Sequence, residues 1–232
     1  MTNHNLTNDI MNRVILIMLP VLFLFSCVKN NTLPRVETIT KGSKWNLEIG
    51  SSPKEIYSQL QLLGKENLFN SVAIVSRTPY SKPENIQDLI NFYNTITLQS
   101  NAGVIDRVLI QLVQDKVSSI ESGGGMLDSV SKWPQNVPEK DAIKVNDQTD
   151  ELYQKLLDIY QIPEYSNYQI ILPDKPLDKP YDMDMANYDE WAFEFTQNIN
   201  AVTTGDNSVR LYFENNKLVK IKNEYSEHQV VH

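Results

Sequence analysis

The chain has 232 residues, 41% of them hydrophobic and 22% charged, with 11 Pro and 8 Gly, which is the composition of a folded protein of one or two domains. Its 29 acidic against 21 basic residues leave a formal charge of −8, and so it lacks the clustered positive charge that nucleic-acid binding needs. The single Cys excludes a disulfide framework, a multi-cysteine zinc site and a CxxC redox pair. The three histidines, His4, His228 and His232, lie near the termini, which argues against a buried imidazole centre.

The first feature in chain order is an address. Arg13 precedes an apolar run, Val14 to Phe25, interrupted by Pro20. A bilayer span needs ~20 apolar residues, whereas a signal-peptide core needs ~7–15. The run ends Leu24-Phe25-Ser26-Cys27, which resembles a bacterial lipobox: an aliphatic residue, then a small residue, then the cysteine whose sulfur takes a diacylglycerol. The resemblance implies removal of residues 1–26 and lipidation at Cys27, the chain's only thiol. Residues 27–43, polar with Pro34 and Gly42, are expected to be a flexible tether. Val28 and Lys29, in place of Asp after the cysteine, imply an outer-membrane anchor facing the periplasm or the cell surface.

The body shows an internal repeat. Residues 44–77 align without gaps to residues 140–173 at an offset of 96, with Lys44/Lys140, Glu55/Glu151, Tyr57/Tyr153, Leu60/Leu156 and Ile74/Ile170 identical. A second block, 108–121, matches 209–222 at an offset of 101. Each copy opens on a helix. In the first, Ser52, Pro53 and Glu55 fit the N-cap, first and third helical positions, Ile56, Leu60 and Leu63 make one apolar stripe, and Gly64 stops the helix. In the second, Asp147 or Thr149 is the expected cap, and Leu152, Leu156 and Ile159 repeat the stripe. Strands follow. Trp191, Phe193 and Phe195 alternate with polar residues, as do Val209, Leu211 and Phe213, and Asn215-Asn216-Lys217 is a hairpin turn. The first copy offers 95–99, 107–113, a turn at Gln114-Asp115, and 116–120. The expected fold is therefore α+β: two tandem units, each a helix packed on an antiparallel sheet of about four strands. The first unit spans residues 44–121, a linker 122–139, the second unit 140–222 and a tail 223–232.

This pattern resembles two families. Tandem helix-and-sheet units resemble the β-lactamase inhibitory protein architecture. The helix start Ile49-Gly50-Ser51-Ser52-Pro53-Lys54-Glu55-Ile56 and the late strands Trp191–Phe195 and Leu211–Ile221, with the lipobox, resemble the outer-membrane lipoproteins of the SmpA/OmlA (BamE-like) type. The resemblance implies a non-catalytic protein-binding role: a scaffold or accessory of envelope assembly, or alternatively an inhibitor or immunity lipoprotein neutralising a secreted enzyme or toxin. A small-ligand-binding lipoprotein is a further alternative.

No catalytic motif stands out, so no enzyme, no catalytic residue, no metal and no cofactor is expected. Asp182, Asp184, Asp189 and Glu190 could supply oxygen ligands to Ca²⁺, but the spacing is not that of an EF-hand, and a solvated acidic loop is the simpler expectation. Trp133, Tyr181 and Tyr188 sit in polar loops, and Tyr212 lies on the polar side of its strand. Exposed aromatic residues of this kind anchor interfaces, so these four are the protein-binding candidates. The expected partners are the membrane, through the N-terminal lipid, and a protein.

Overall fold

Alternating β-branched, aromatic and polar residues drive most of the body into strands. The structure is a computed structural model and describes residues 34–100 and 106–229. Cys27 and the lipobox lie outside the described residues. In chain order the strands are β1 (Arg35–Ile39), β2 (Ser43–Lys44), β3 (Leu47–Glu48), β4 (Ser71–Ile74), β5 (Thr95–Ser100), β6 (Arg107–Val113), β7 (Lys116–Gly123), β8 (Asp128–Val130), β9 (Lys132–Trp133), β10 (Ile143–Lys144), β11 (Tyr168–Ile171), β12 (Lys175–Pro176), β13 (Glu190–Asn200), β14 (Thr203–Glu214) and β15 (Lys217–Gln229). The α-helices among the described residues are α1 (Pro53–Asn67) and α2 (Thr149–Ile159).

One sheet has six strands in the order β1-β15-β14-β13-β4-β12, and a second has five in the order β11-β5-β6-β7-β8; β2-β3 and β9-β10 are short pairs. The strand pairings of both large sheets are antiparallel. This overturns the expected α+β fold of two tandem helix-on-sheet units. The described chain is mostly β-sheet, and the halves of the repeat do not pack as separate units.

The helix starts show why. Ser52 caps α1 in a capping box with Glu55, and at the start of α2 the Glu151 carboxylate accepts the Gln148 N–H at 3.0 Å. The expected cap Asp147 instead accepts the Lys144 N–H at 2.7 Å and pairs with Lys155 at 2.6 Å. Gly50 has φ +97°, and the equivalent Asn146 has φ +76°, because Asn tolerates the left-handed region nearly as Gly does. Each start then docks on the other half of the chain. The Gly50 N–H donates to the Leu218 carbonyl at 2.7 Å, and the Leu218 N–H to the Ser51 carbonyl at 2.9 Å. The Asn146 N–H donates to Val117 at 2.8 Å, and the Val117 N–H to Asp147 at 2.9 Å. The strand after each helix crosses in the same way: β4 pairs with β13, and β11 with β5.

Two apolar clusters result. Leu47, Ile56, Leu60 and Leu63 pack with Trp191, Phe193, Val209, Leu211 and Ile221. Leu152, Leu156 and Ile159 pack with Ile96, Leu98, Val108, Ile110 and Ile120. Each large apolar side chain so buried contributes roughly 1.5–3 kcal/mol.

Three segments expected to lie outside the units carry strands, the expected linker among them with β8 and β9. Residues 35–39 of the expected tether form β1, with Val36 opposite Glu224 and Ile39 opposite Ile221. The expected tail continues β15 to Gln229. In β1, Val36 and Thr38 favour extended backbone, and the charges of Arg35 and Glu37 suit a sheet edge.

Candidate functional site

The four aromatic candidates do not converge. Trp133 is 3% exposed. Its ring lies 5.3 Å from Tyr165 and 5.6 Å from Tyr168, so it serves the core of the five-stranded half and offers no surface to a partner. Tyr181 is half-buried against Tyr57, ring centroids 5.5 Å apart, and burial, with Asp182 nearby, raises its hydroxyl pKa to about 12. Tyr188 is half-buried with the Arg77 guanidinium 5.9 Å from its ring. Tyr212 stands on the outer face of β14, where the Lys220 ammonium lies 3.8 Å from its ring centre. A polar loop sequence marks the backbone as a connection, and it does not say whether an aromatic ring in that loop turns inward.

Two carboxylates of the acidic loop turn inward to an arginine. The chain crosses between the two sheets twice. It leaves β4 through Arg77 to Tyr80, whose N–H and carbonyl bond Ile170 at 2.8 and 2.7 Å, and it returns from β11 to β12. Arg77, on the first crossing, meets the acidic loop here. Its Nη2 lies 3.1 Å from Asp182 Oδ2 and 2.8 Å from Asp184 Oδ2. It also donates to the hydroxyls of Tyr80, at 2.9 Å, and Tyr93. Tyr93 donates to Asp182 at 2.7 Å and Tyr80 to Asp184 at 2.6 Å. Asp182 is fully buried. Burial acts to raise the pKa of Asp184, but hydrogen bonds from Tyr80 and Asn187 and the charge of Arg77 outweigh it and hold the carboxyl below its ordinary value. Burial drives the Tyr93 hydroxyl well above the usual tyrosine range. Asp189 is exposed and Glu190 pairs with Arg210 at 2.6 Å, so Asp182 and Asp184 share Arg77 while the other two carboxylates point elsewhere. Among the described residues no group of three or more His, Cys, Asp or Glu could hold a metal ion.

Lys175, on the return crossing, is also fully buried. Its ammonium donates to the Phe92 and Pro176 carbonyls at 2.9 and 3.0 Å and lies over the rings of Tyr57 and Tyr93. Burial is the main cause that lowers its pKa to about 8. A depressed lysine pKa means that the unfolded chain binds more protons between about pH 8 and about pH 10.5. The contribution of Lys175 to stability therefore rises with pH across that window. Lys175→Met removes the slope, and calorimetry at a series of pH values should show the melting temperature of the wild type gaining on that of the variant from pH 8 upward.

A second feature opens at the far end of the six-stranded sheet. A cleft of about 750 Å³ runs along β13 and is walled by Asn67, Leu68 and Phe69 at the end of α1, and by Glu194, Phe195, Thr196, Asp206 and Glu224 among others. Leu68 is the C-cap of α1, with φ +60° and ψ +35°. This left-handed conformation is strained for a residue with a Cβ, and Gly is the usual occupant. Leu68 is nevertheless 94% exposed, so its conformation is held by the hydrogen bonds that the Leu68 and Phe69 N–H groups donate to the Gly64 carbonyl and not by packing of its side chain. Phe69 beside it stacks on Phe193 and Phe195 at 4.9 and 5.8 Å, which fixes the lip of the cleft. Sequence reasoning placed the helix stop at Gly64, and the helix runs one turn further, to Asn67. The signal that could have found Leu68 is the apolar pair Leu68-Phe69 just beyond the stripe that ends at Leu63.

No protein-family model matches this chain, and neither a curated protein nor a solved structure matches it.

Proposed function

We propose that this chain is a lipid-anchored envelope protein that acts by non-catalytic protein binding, as a scaffold or accessory of an envelope assembly. The anchoring part rests on the run ending Leu24-Phe25-Ser26-Cys27. The binding part is carried by one observation: a large apolar side chain, Leu68, held 94% exposed on a left-handed backbone at the lip of the cleft. The hydrogen bonds that the Leu68 and Phe69 N–H groups donate to the Gly64 carbonyl hold that backbone in place, and a rigidly presented apolar side chain supplies the anchor that a protein interface needs.

The test uses the tagged full chain, recovered from detergent-solubilised envelopes. Cys27→Ser should move the protein from the membrane to the soluble fraction, because several acyl chains each contribute ~0.8 kcal/mol per buried CH₂. Leu68→Gly should stabilise the fold by about 1 kcal/mol, since it relieves the left-handed strain, while recovery of a stoichiometric protein partner falls at least tenfold. Partner recovery that is equal with Leu68→Gly, or absent with the wild type, refutes the binding role. An unlipidated protein that stays in the membrane refutes the anchor.

A further inference from the structure

We infer that the free edge of β13 is a strand-addition site for an extended, basic peptide segment of the partner; this deepens the binding role proposed above and rests on it. The edge follows from register. The Glu190 carbonyl accepts the Val75 N–H on the β4 side at 3.0 Å, and the Asp189 carbonyl accepts the Phe213 N–H on the β14 side at 2.8 Å. Backbone groups alternate sides along an antiparallel strand. Ala192, Glu194, Thr196 and Asn198 therefore aim their N–H and carbonyl groups away from β14. The β4 strand covers only Trp191 and Ala192. From Glu194 to Asn198, among the described residues, no strand lies on that side, although β14 pairs the opposite side throughout.

Natural sheets guard such an edge with Lys, Pro or a bulge. The stretch Phe193–Asn198 contains neither Lys nor Pro, and the bulge comes only after Asn198. The cleft reaches this stretch, with Asn67, Leu68 and Phe69 on one side and Asp206, Ser208, Glu224 and Ser226 of β14 and β15 on the other. Gln197 donates to Asn67 at 2.9 Å and ties that wall to the strand. The result is a slot beside an unpaired ladder, the geometry that strand addition uses: main-chain bonds give affinity and the walls select side chains.

The charge of the wall selects the occupant. The charged residues on the wall are Glu194, Asp206 and Glu224, with no Lys or Arg among them. Asp206 faces Thr196 and His228, Glu224 takes Lys222 at 2.7 Å, and Glu194 has only the Ser208 hydroxyl at 3.1 Å. Glu194 is thus the carboxylate left for a ligand cation.

The experiment is fluorescence anisotropy on the purified chain with a labelled peptide of alternating Lys and Thr, and the same peptide with Glu for Lys as a control. Saturable binding of the Lys peptide that weakens with salt, at least tenfold tighter than the Glu peptide, is expected. Thr196→Pro removes one outward N–H and no ladder bond, which an edge strand tolerates; it should weaken binding at least tenfold, whereas Thr196→Val, which keeps the N–H, should bind as the wild type does. Glu194→Lys should weaken binding and flatten the salt dependence, and it covers the case in which the proline variant fails to fold. Equal binding of both peptides, or full binding by a folded Thr196→Pro together with Glu194→Lys, overturns the inference. So does sedimentation that shows the edge occupied by a second copy, with Thr196→Pro abolishing the dimer. If an envelope partner is recovered by wild type and Thr196→Pro alike, strand addition fails and the binding role stands. If the peptide binds as stated and no envelope partner is recovered, the edge stands and the binding role fails.

Discussion

Asp182→Ala should be the most damaging single substitution in the loops, lowering stability by about 3 kcal/mol, at the low end of the cost of breaking a buried ion pair. Asp182 is fully buried and Arg77 is 7% exposed at its side chain. Removing the carboxylate orphans the Tyr93 hydroxyl, which donates to it at 2.7 Å, and it withdraws one of the two anions that neutralise Arg77. The loss falls short of the full cost because Asp184 remains 2.8 Å from the guanidinium. At roughly 2–4 °C per kcal/mol for a chain of this size, the melting temperature should fall by roughly 10 °C. Asp184→Ala should cost less, about 1 kcal/mol, because that side chain is 24% exposed and water replaces part of what is lost. Arg77→Met combined with Asp182→Ala should cost less than the sum of the two single changes, since neither partner is then left as an uncompensated buried charge. Urea denaturation of the four proteins measures the cycle. A fall of less than 3 °C for Asp182→Ala would show that the first crossing and the acidic loop are held together by packing alone.

The elements were legible because they are local. Ser52, Pro53 and Glu55 specify the start of α1 through bonds that span three residues, and period-two patterning in Trp191–Phe195 and Val209–Phe213 marks strands whatever they pair with. The turns at Gln114-Asp115 and Asn215-Asn216 carry positive φ at both residues, as a two-residue hairpin requires. The assignment of each helix to its sheet was not legible. The stripe of Ile56, Leu60 and Leu63 needs an apolar face, and the two meanders offer faces of the same kind. What decides between them is the pair of backbone bonds between Gly50-Ser51 and Leu218, and no residue type encodes a carbonyl's partner more than a hundred positions away. The cluster of Arg77 with Asp182 and Asp184 is hidden for a related reason. Asp182 and Asp184 have the composition of a solvated loop, and only the placement of Arg77 across the fold turns them inward. Leu68 was passed over because its significance lies in its exposure and its φ, neither of which periodicity reports.

The exchange of helices between the halves makes its own large prediction. A fragment of residues 44–121 carries α1 with the β5–β7 strands, but α1 buries its stripe against β13, β14 and β15. A fragment of residues 140–222 carries α2 without the sheet that covers Leu152, Leu156 and Ile159. Each fragment would hold an unburied helix stripe and an unburied sheet face, and the roughly 1.5–3 kcal/mol from each core side chain would no longer offset the conformational entropy of about 1–2 kcal/mol per residue. Both should show no cooperative melting and no near-ultraviolet circular dichroism. A fragment of residues 78–173 should behave differently. It keeps β5–β11 and α2 together, with the cluster from Ile86 to Leu172 whole, and the Tyr80–Ile170 bridge at its ends. It loses the partners of Tyr93 at Asp182 and Arg77, a cost of a few kcal/mol at newly solvated groups, yet its apolar core is complete. Cooperative thermal unfolding by 78–173 and its absence in 44–121 and 140–222 is the expected outcome. Cooperative folding of 44–121 alone would mean that α1 can cover its own half's meander, and that the exchange of helices is a choice between near-equal packings.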